Sequence, residues 1–168
     1  LARQIKDEKV MRLLENIIGS FSVADRRGVP LGNLTSQLFA NIYLHELDRY
    51  VKMTLHEKHY LRYCDDFIIL SEPRERLSGV TKSLDDFLNE TLSLQLHPKK
   101  VFIRTWAQGI DFLGYVLFPH ATVVRINTAE RMLRRANEDN INSYLGVCSH
   151  ADAFELEQIV RTESISLG

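Results

Sequence analysis

Tyr60-Leu61-Arg62-Tyr63-Cys64-Asp65-Asp66-Phe67-Ile68-Ile69-Leu70 is the stretch on which the fold turns. Aromatic and β-branched residues, which suit the pleated surface of a strand, fill both of its halves, and two aspartates interrupt them in the middle. The pattern predicts two strands joined by a tight turn at Cys64-Asp65-Asp66, with carboxylates at the tip of the hairpin. Side-by-side carboxylates against apolar strands are costly, because like charges repel and each resists losing its water. Divalent cations offset that cost: Mg²⁺ takes hard oxygen ligands, and two such ions can activate an attacking hydroxyl and stabilise the leaving oxygen of a phosphoryl transfer. The chain contains its own control in Asp85-Asp86, which falls in a helical pattern with Lys82 four residues before Asp86, so that solvated helix-face charges account for it. Spacing alone leaves metal binding and a solvated hairpin tip both open for Asp65 and Asp66.

Working toward the N-terminus, Leu38, Ile42, Leu47 and Val51 recur at near-helical spacing and predict a helix reaching about residues 52–56, capped by Asn33 or Thr35. Before it, Asp25-Arg26-Arg27-Gly28-Val29-Pro30-Leu31-Gly32-Asn33 reads as a loop able to approach another molecule closely. The opening segment carries Val10, Leu13, Leu14, Ile17 and Ile18 on one helical stripe that should end near Gly19. His56 and His59 could share a helix face and bind metal, although surface histidines are the commoner case. The chain starts on Leu1 already close to this helix, so we expect a piece of a longer protein.

Toward the C-terminus, Leu77, Val80, Leu84, Phe87, Leu88 and Leu92 mark a third helix. Pro98-Lys99-Lys100 leads into an expected strand over 101–105, and Gly109 to Phe118 with Val123 to Ile126 reads as a further hairpin. Two last helices are predicted, over 128–142 and 153–160, capped by Asn127-Thr128 and Asp152, with a break at Ser143-Tyr144-Leu145-Gly146. These elements make one α+β core followed by a helical appendage.

Composition agrees with a globular domain. At 168 residues, 45% hydrophobic and 26% charged, the chain is neither disordered, collagen-like nor a solenoid. No apolar run approaches the roughly 20 residues that cross a bilayer, and no secretion leader opens the sequence, so a soluble, cytoplasmic protein with no membrane partner is expected. Cys64 and Cys148 have no second Cys or His at zinc-finger spacing, which fits a reducing compartment. The net charge of −1 hides an uneven distribution. Residues 95–136 carry Lys99, Lys100, Arg104, Arg125, Arg131, Arg134 and Arg135 against only Asp111 and Glu130, a basic stretch suited to a phosphate backbone or, equally, to a solvated face.

Tyr63-Cys64-Asp65-Asp66 resembles the YxDD box of reverse transcriptases, and three flanking segments resemble that family in the same order. The stretch from Gly28 to Gln37 is similar to the segment under the incoming nucleotide and template base, Leu96-His97-Pro98-Lys99-Lys100 to the downstream lysine box, and Gly109-Ile110-Asp111-Phe112-Leu113-Gly114-Tyr115 to the primer-grip hairpin. The basic helix from about Thr128 then corresponds to the start of the thumb. Within the family, Leu31-Gly32-Asn33-Leu34-Thr35-Ser36-Gln37 reads LGxxxSQ, which resembles the enzymes of diversity-generating retroelements more than the QGxxxSP of group II intron maturases.

The resemblance implies a right-hand polymerase: a palm remnant over 1–126, lacking the fingers and the strand that bears the first catalytic aspartate, and the start of a helical thumb over 127–168. It implies RNA-directed DNA synthesis in which a primer 3′-hydroxyl attacks the α-phosphate of a deoxynucleotide at a two-Mg²⁺ site. Asp65 would be the principal metal ligand, Asp66 would assist, and Lys99 or Lys100 would face the leaving pyrophosphate. Pro30, Gly32, Asn33 and Gln37 would line the nucleotide and template, while Gly109, Phe112, Leu113 and Gly114 would grip the primer. Partners would be template RNA, the DNA primer and product, deoxynucleotides and a small basic accessory protein. The fragment alone, missing a carboxylate, should not polymerise. A metal-dependent phosphodiesterase and a non-enzymatic, maturase-like RNA-binding module are the alternatives.

Overall fold

In the computed structural model, residues 5–19 and 34–166 are described. Two compact units divide at Val101/Phe102.

The first unit contains α1 (Glu8–Gly19), α2 (Leu34–Arg49) continuing into a π-helical turn (Tyr50–Thr54), β1 (His59–Tyr63), β2 (Asp66–Leu70) and α3 (Arg74–Leu92). Its core is made where α2 meets α3: Leu44, Leu47 and Val51 pack with Val80, Leu84, Leu88 and Leu92. Tyr50 stacks on Phe87 with ring centroids 4.1 Å apart, and the Tyr43 hydroxyl donates to the Leu92 carbonyl at 2.6 Å. The expected stripe on α2 was half right. Leu47 and Val51 are buried, but Leu38 and Ile42 are exposed, and Leu44 takes the inward position one turn before Leu47 and Val51. On α1 the helix forms as its period predicts, yet none of its residues is buried.

β1 and β2 pair antiparallel with Tyr63 opposite Asp66, so the predicted hairpin closes through Cys64 and Asp65 alone, and Asp66, expected in the turn, is the first residue of β2. Alternation gives the ribbon two faces. Tyr60, Phe67 and Ile69 lie against the helical core, and Arg62, on the same face, turns toward α2. α3 ends as its sequence demands: Ser93 takes the left-handed conformation (φ 51°), and the Ser93 and Leu94 N–H groups both donate to the Leu88 carbonyl.

The second unit differs more from expectation. Residues 101–105 form no strand; Thr105 instead caps a 3₁₀ turn (Trp106–Gln108) through a reciprocal bond with the Gln108 side chain. β-propensity lost here because no neighbouring strand pairs with the segment. β3 (Ile110–Phe112), β4 (Tyr115–Leu117) and β5 (Thr122–Val124) make a three-stranded antiparallel meander rather than a single hairpin. α4 (Ile126–Arg135) begins after Arg125 without a side-chain cap, so Asn127 and Thr128 lie inside the helix. It stops well short of residue 142. Asn137 and Asn140 each accept the other's backbone N–H through their side chains, and asparagine's competition with helical bonding ends the element. α5 (Ile141–Cys148) then runs through the expected break at 143–146, and α6 (Phe154–Ser166) follows. Asp152 receives the backbone N–H of Thr122 at 3.0 Å, which ties the segment before α6 to β5. Met132, Ala136, Cys148, Ala153 and Val160 form the core of this unit. Cys64 and Cys148 are free thiols, and burial pushes that of Cys148 up from its ordinary value. Among the described residues, no helix is long and apolar enough to cross a membrane.

Candidate nucleotidyl-transfer site

A two-residue turn must reverse the chain sharply, and here the backbone does so with Cys64 at φ 52° while Asp65 keeps a negative φ. A left-handed conformation at a residue with a side chain costs about 1–2 kcal/mol, so surrounding contacts must hold it. Those contacts come from Arg62. Its guanidinium forks onto the Asp48 carboxylate of α2, Nε to Oδ1 and Nη2 to Oδ2, both at 2.7 Å. Nη1 donates to Asn41 Oδ1 at 2.9 Å and to the Cys64 carbonyl at 2.7 Å. The Tyr60 hydroxyl adds a third donor to Asp48 at 2.8 Å.

The arrangement is only 10% exposed at the Arg62 side chain and 28% at that of Asp48, so its charges are partly removed from water. Hydrogen bonding from Arg62 is the main cause that holds the Asp48 carboxyl below the usual range, and the same bond raises Arg62 further. Burial, then the bond to Asp48, pushes the Tyr60 phenol well above its ordinary value. At neutral pH the network is therefore an anion held by a cation and a neutral phenol. Sequence reading missed all four members, Asn41, Asp48, Tyr60 and Arg62. A signal was present: an arginine on the inward register of a strand needs a carboxylate partner, and α2 offers one.

Asp65 and Asp66 stand at the tip that this network fastens. Both are exposed, and neither carboxylate has a hydrogen-bond or ion-pair partner among the described residues. Asp65 belongs to the turn rather than to β2, so strand alternation governs only Asp66, which shares the outer face with Tyr63. The Asp85-Asp86 pair behaves differently: Asp85 is half-buried and accepts the Leu96 backbone N–H at 3.3 Å, so it anchors the chain after α3 as well as facing solvent.

The remaining candidates sort by element. Gln37 is exposed in the first turn of α2, one turn before Asn41 and hence on the helix face that meets Arg62. Pro30, Gly32 and Asn33 lie outside the described residues. Lys99 and Lys100 are exposed on a turn closed by the Lys100 N–H to the His97 carbonyl at 2.8 Å. His56, left-handed at φ 55°, precedes β1, and His59 opens that strand, so the two do not share a helix face. No group of three or more His, Cys, Asp or Glu gathers as a metal cage among the described residues.

In the second unit, Phe112 and Tyr115 pair across a turn made by Leu113 (φ 52°) and Gly114 (φ 90°). Two consecutive positive φ values define a type I′ turn, which suits glycine at Gly114 and leaves Leu113 strained and 45% exposed. The Arg125 N–H donates to the Gly114 carbonyl at 2.9 Å, and the Arg125 guanidinium reaches Asp111 at 3.1 Å. Gly109 is explained by packing within the unit: a Cβ there would meet the Phe118 ring and Val116 at 2.7 Å. Arg131 and Arg135 point outward without side-chain partners among the described residues, while Arg134 sits 3.7 Å from Glu130 on the same helix.

The chain resembles Protein YkfC of Escherichia coli (strain K12), with 27% identity over a match covering 68% of this chain and 40% of that protein. It thus spans less than half the length of that relative. The profile of the family described as reverse transcriptase (RNA-dependent DNA polymerase) matches residues 4–117, a range that takes in α1, α2, the aspartate hairpin, α3, the lysine turn and the Leu113-Gly114 turn. With more than half of its length so matched, the chain belongs to the reverse transcriptase family.

Proposed function

We propose that the protein containing this chain is an RNA-directed DNA polymerase that adds deoxynucleotides to a primer on an RNA template, with Asp65 and Asp66 as metal ligands. The observation that carries this reading is a pair of adjacent, unpartnered carboxylates on a turn that Arg62 fastens to α2. Mg²⁺ fits such a pair, because it binds through one or two carboxylates and completes its shell with water and phosphate oxygens. When bound, two such ions lower the barrier of an in-line displacement by neutralising charge on the attacking and leaving oxygens. Asp65 is the principal ligand, and Asp66 assists from the outer face of the hairpin.

Other residues bind and orient. Gln37, on the face of α2 that meets Arg62, offers an amide to the sugar or base of the incoming nucleotide, and Pro30, Gly32 and Asn33, shortly before it in the sequence, serve the same nucleotide and template. Lys99 and Lys100 carry positive charge toward the leaving pyrophosphate, and either can deliver a proton to it. The Phe112-Leu113-Gly114 turn, with Gly109 shaping its base, holds the primer strand, and Arg131 and Arg135 continue the contact along the duplex. On this reading residues 1–126 act as palm and 127–168 as the start of the thumb. The LGxxxSQ box favours a diversity-generating retroelement as the source of the protein, working in the cytoplasm with template RNA and a basic accessory protein.

Primer extension by the whole protein tests the reading. We expect Mg²⁺-dependent incorporation of deoxynucleotides on a primed RNA template, abolished by Asp65→Asn. Hydrolysis of nucleic acid without synthesis would point to a phosphodiesterase, and RNA binding without either would point to a maturase-like module.

A further inference from the structure

We infer that Arg62 is a positioning residue of the polymerase site: by holding the Cys64 carbonyl against α2 it sets the peptide plane from which Asp65 projects. The inference rests on the polymerase reading and adds to it a residue that touches neither nucleic acid nor metal.

Four of the five guanidinium N–H groups are engaged, and they join three places in the fold. Two go to Asp48 and one to Asn41, seven positions apart and so on one face of α2. The fourth goes to the Cys64 carbonyl, the acceptor of the peptide bond that leads into Asp65. Rotating that peptide would break a 2.7 Å charge-assisted bond and leave one N–H of the largely buried Arg62 guanidinium without its acceptor. The left-handed φ of Cys64 is the strained conformation that such a clamp over-determines. Metal ligands tolerate little displacement, since a site loosened by about 1 Å loses much of its activity. Lysine cannot replace this residue, because a single ammonium lacks the planar fork that spans Asp48 and Cys64 together.

The test compares Arg62→Lys and Arg62→Gln with Arg76→Gln in the whole protein. Arg76 makes another partly buried pair of this unit, to Glu57 at 2.8 Å, and lies outside the hairpin. A merely structural role for Arg62 would make its variants resemble the Arg76 variant at matched stability. A positioning role predicts nucleotide addition at least tenfold slower at saturating substrate, a several-fold rise in the Mg²⁺ concentration for half-maximal rate, and unchanged affinity for primed template. It also predicts amide exchange at Asp66, which opens β2 opposite Tyr63, at least tenfold faster than in the Arg76 variant. Unchanged Mg²⁺ dependence together with unchanged exchange at the turn would overturn the inference. If the wild-type protein adds no nucleotide, the polymerase reading fails, and the exchange rates alone still decide whether Arg62 fixes the turn.

Discussion

The two hairpin turns solve one backbone problem by different means. At Leu113-Gly114 the chain reverses with two positive φ values, a glycine takes the more extreme of them, and a backbone N–H from Arg125 holds its carbonyl. At Cys64-Asp65 only one φ is positive, no glycine is present, and a side-chain clamp from Arg62 holds the carbonyl instead. A glycine turn needs only space, whereas the aspartate turn needs α2, through Asn41 and Asp48. The difference shows which turn can be altered alone and which is tied to a helix and to the residues on its face.

The sharpest way to separate the turns is to remove the aspartate. Asp65→Asn should reduce nucleotide addition by roughly 10³-fold or more, as several kcal/mol of charge stabilisation is lost, while leaving the thermal midpoint unchanged because the Asp65 carboxylate has no partner among the described residues. Primer extension and thermal unfolding of the same preparation check both halves. Gly109→Ala, at the base of the other hairpin, should act on stability. Its Cβ would fall 2.7 Å from Phe118 and Val116 on a backbone with φ 78°, and a loss of about 3 kcal/mol is expected. Gly114→Ala, with Thr128 no closer than 3.4 Å, should lose only about 1 kcal/mol. Urea unfolding orders the two variants, and equal losses would contradict the packing account.

The clamp also predicts a pH dependence. Asp48 is held below its ordinary value, 3.8, so its contribution is present above that pH and is lost as pH falls through the lowered value of the folded state. Stability of the first unit should therefore decline from about pH 4 downward, and Asp48→Asn should flatten that limb while lowering stability at neutral pH. The smallest effect is expected at Cys64. Relief of its left-handed strain in Cys64→Gly is partly offset by the greater freedom of glycine in the unfolded chain, and a gain of about 0.5 kcal/mol should remain.

Much of this was readable from residue types. Strand propensity on either side of Asp65-Asp66 located the hairpin, and the periods of Val80, Leu84, Leu88 and Leu92 located α3, because local pattern and tertiary burial agree there. Where packing decided, reading failed. Leu38 and Ile42 look as apolar as Leu44, and only the position of α3 determines which face is covered. Asn137 and Asn140 end α4 through a reciprocal pair that no single-residue propensity announces. Among the candidate residues, the aspartates and lysines carry their chemistry in their names. The Asp48–Arg62–Cys64 clamp joins a residue of α2 to two of the hairpin that follows it and becomes visible only once α2 lies beside β1.

We expect the carboxylates of the Cys64–Asp66 turn to hold the catalytic metal. Replacing Mg²⁺ by Fe²⁺ in the whole protein bound to primed template, then generating hydroxyl radicals, cuts the polypeptide where the metal sits. The account predicts backbone cleavage at residues 63–67, lost in Asp65→Asn and suppressed by excess Mg²⁺. Cleavage confined to other segments, in a preparation that extends primers, would contradict it.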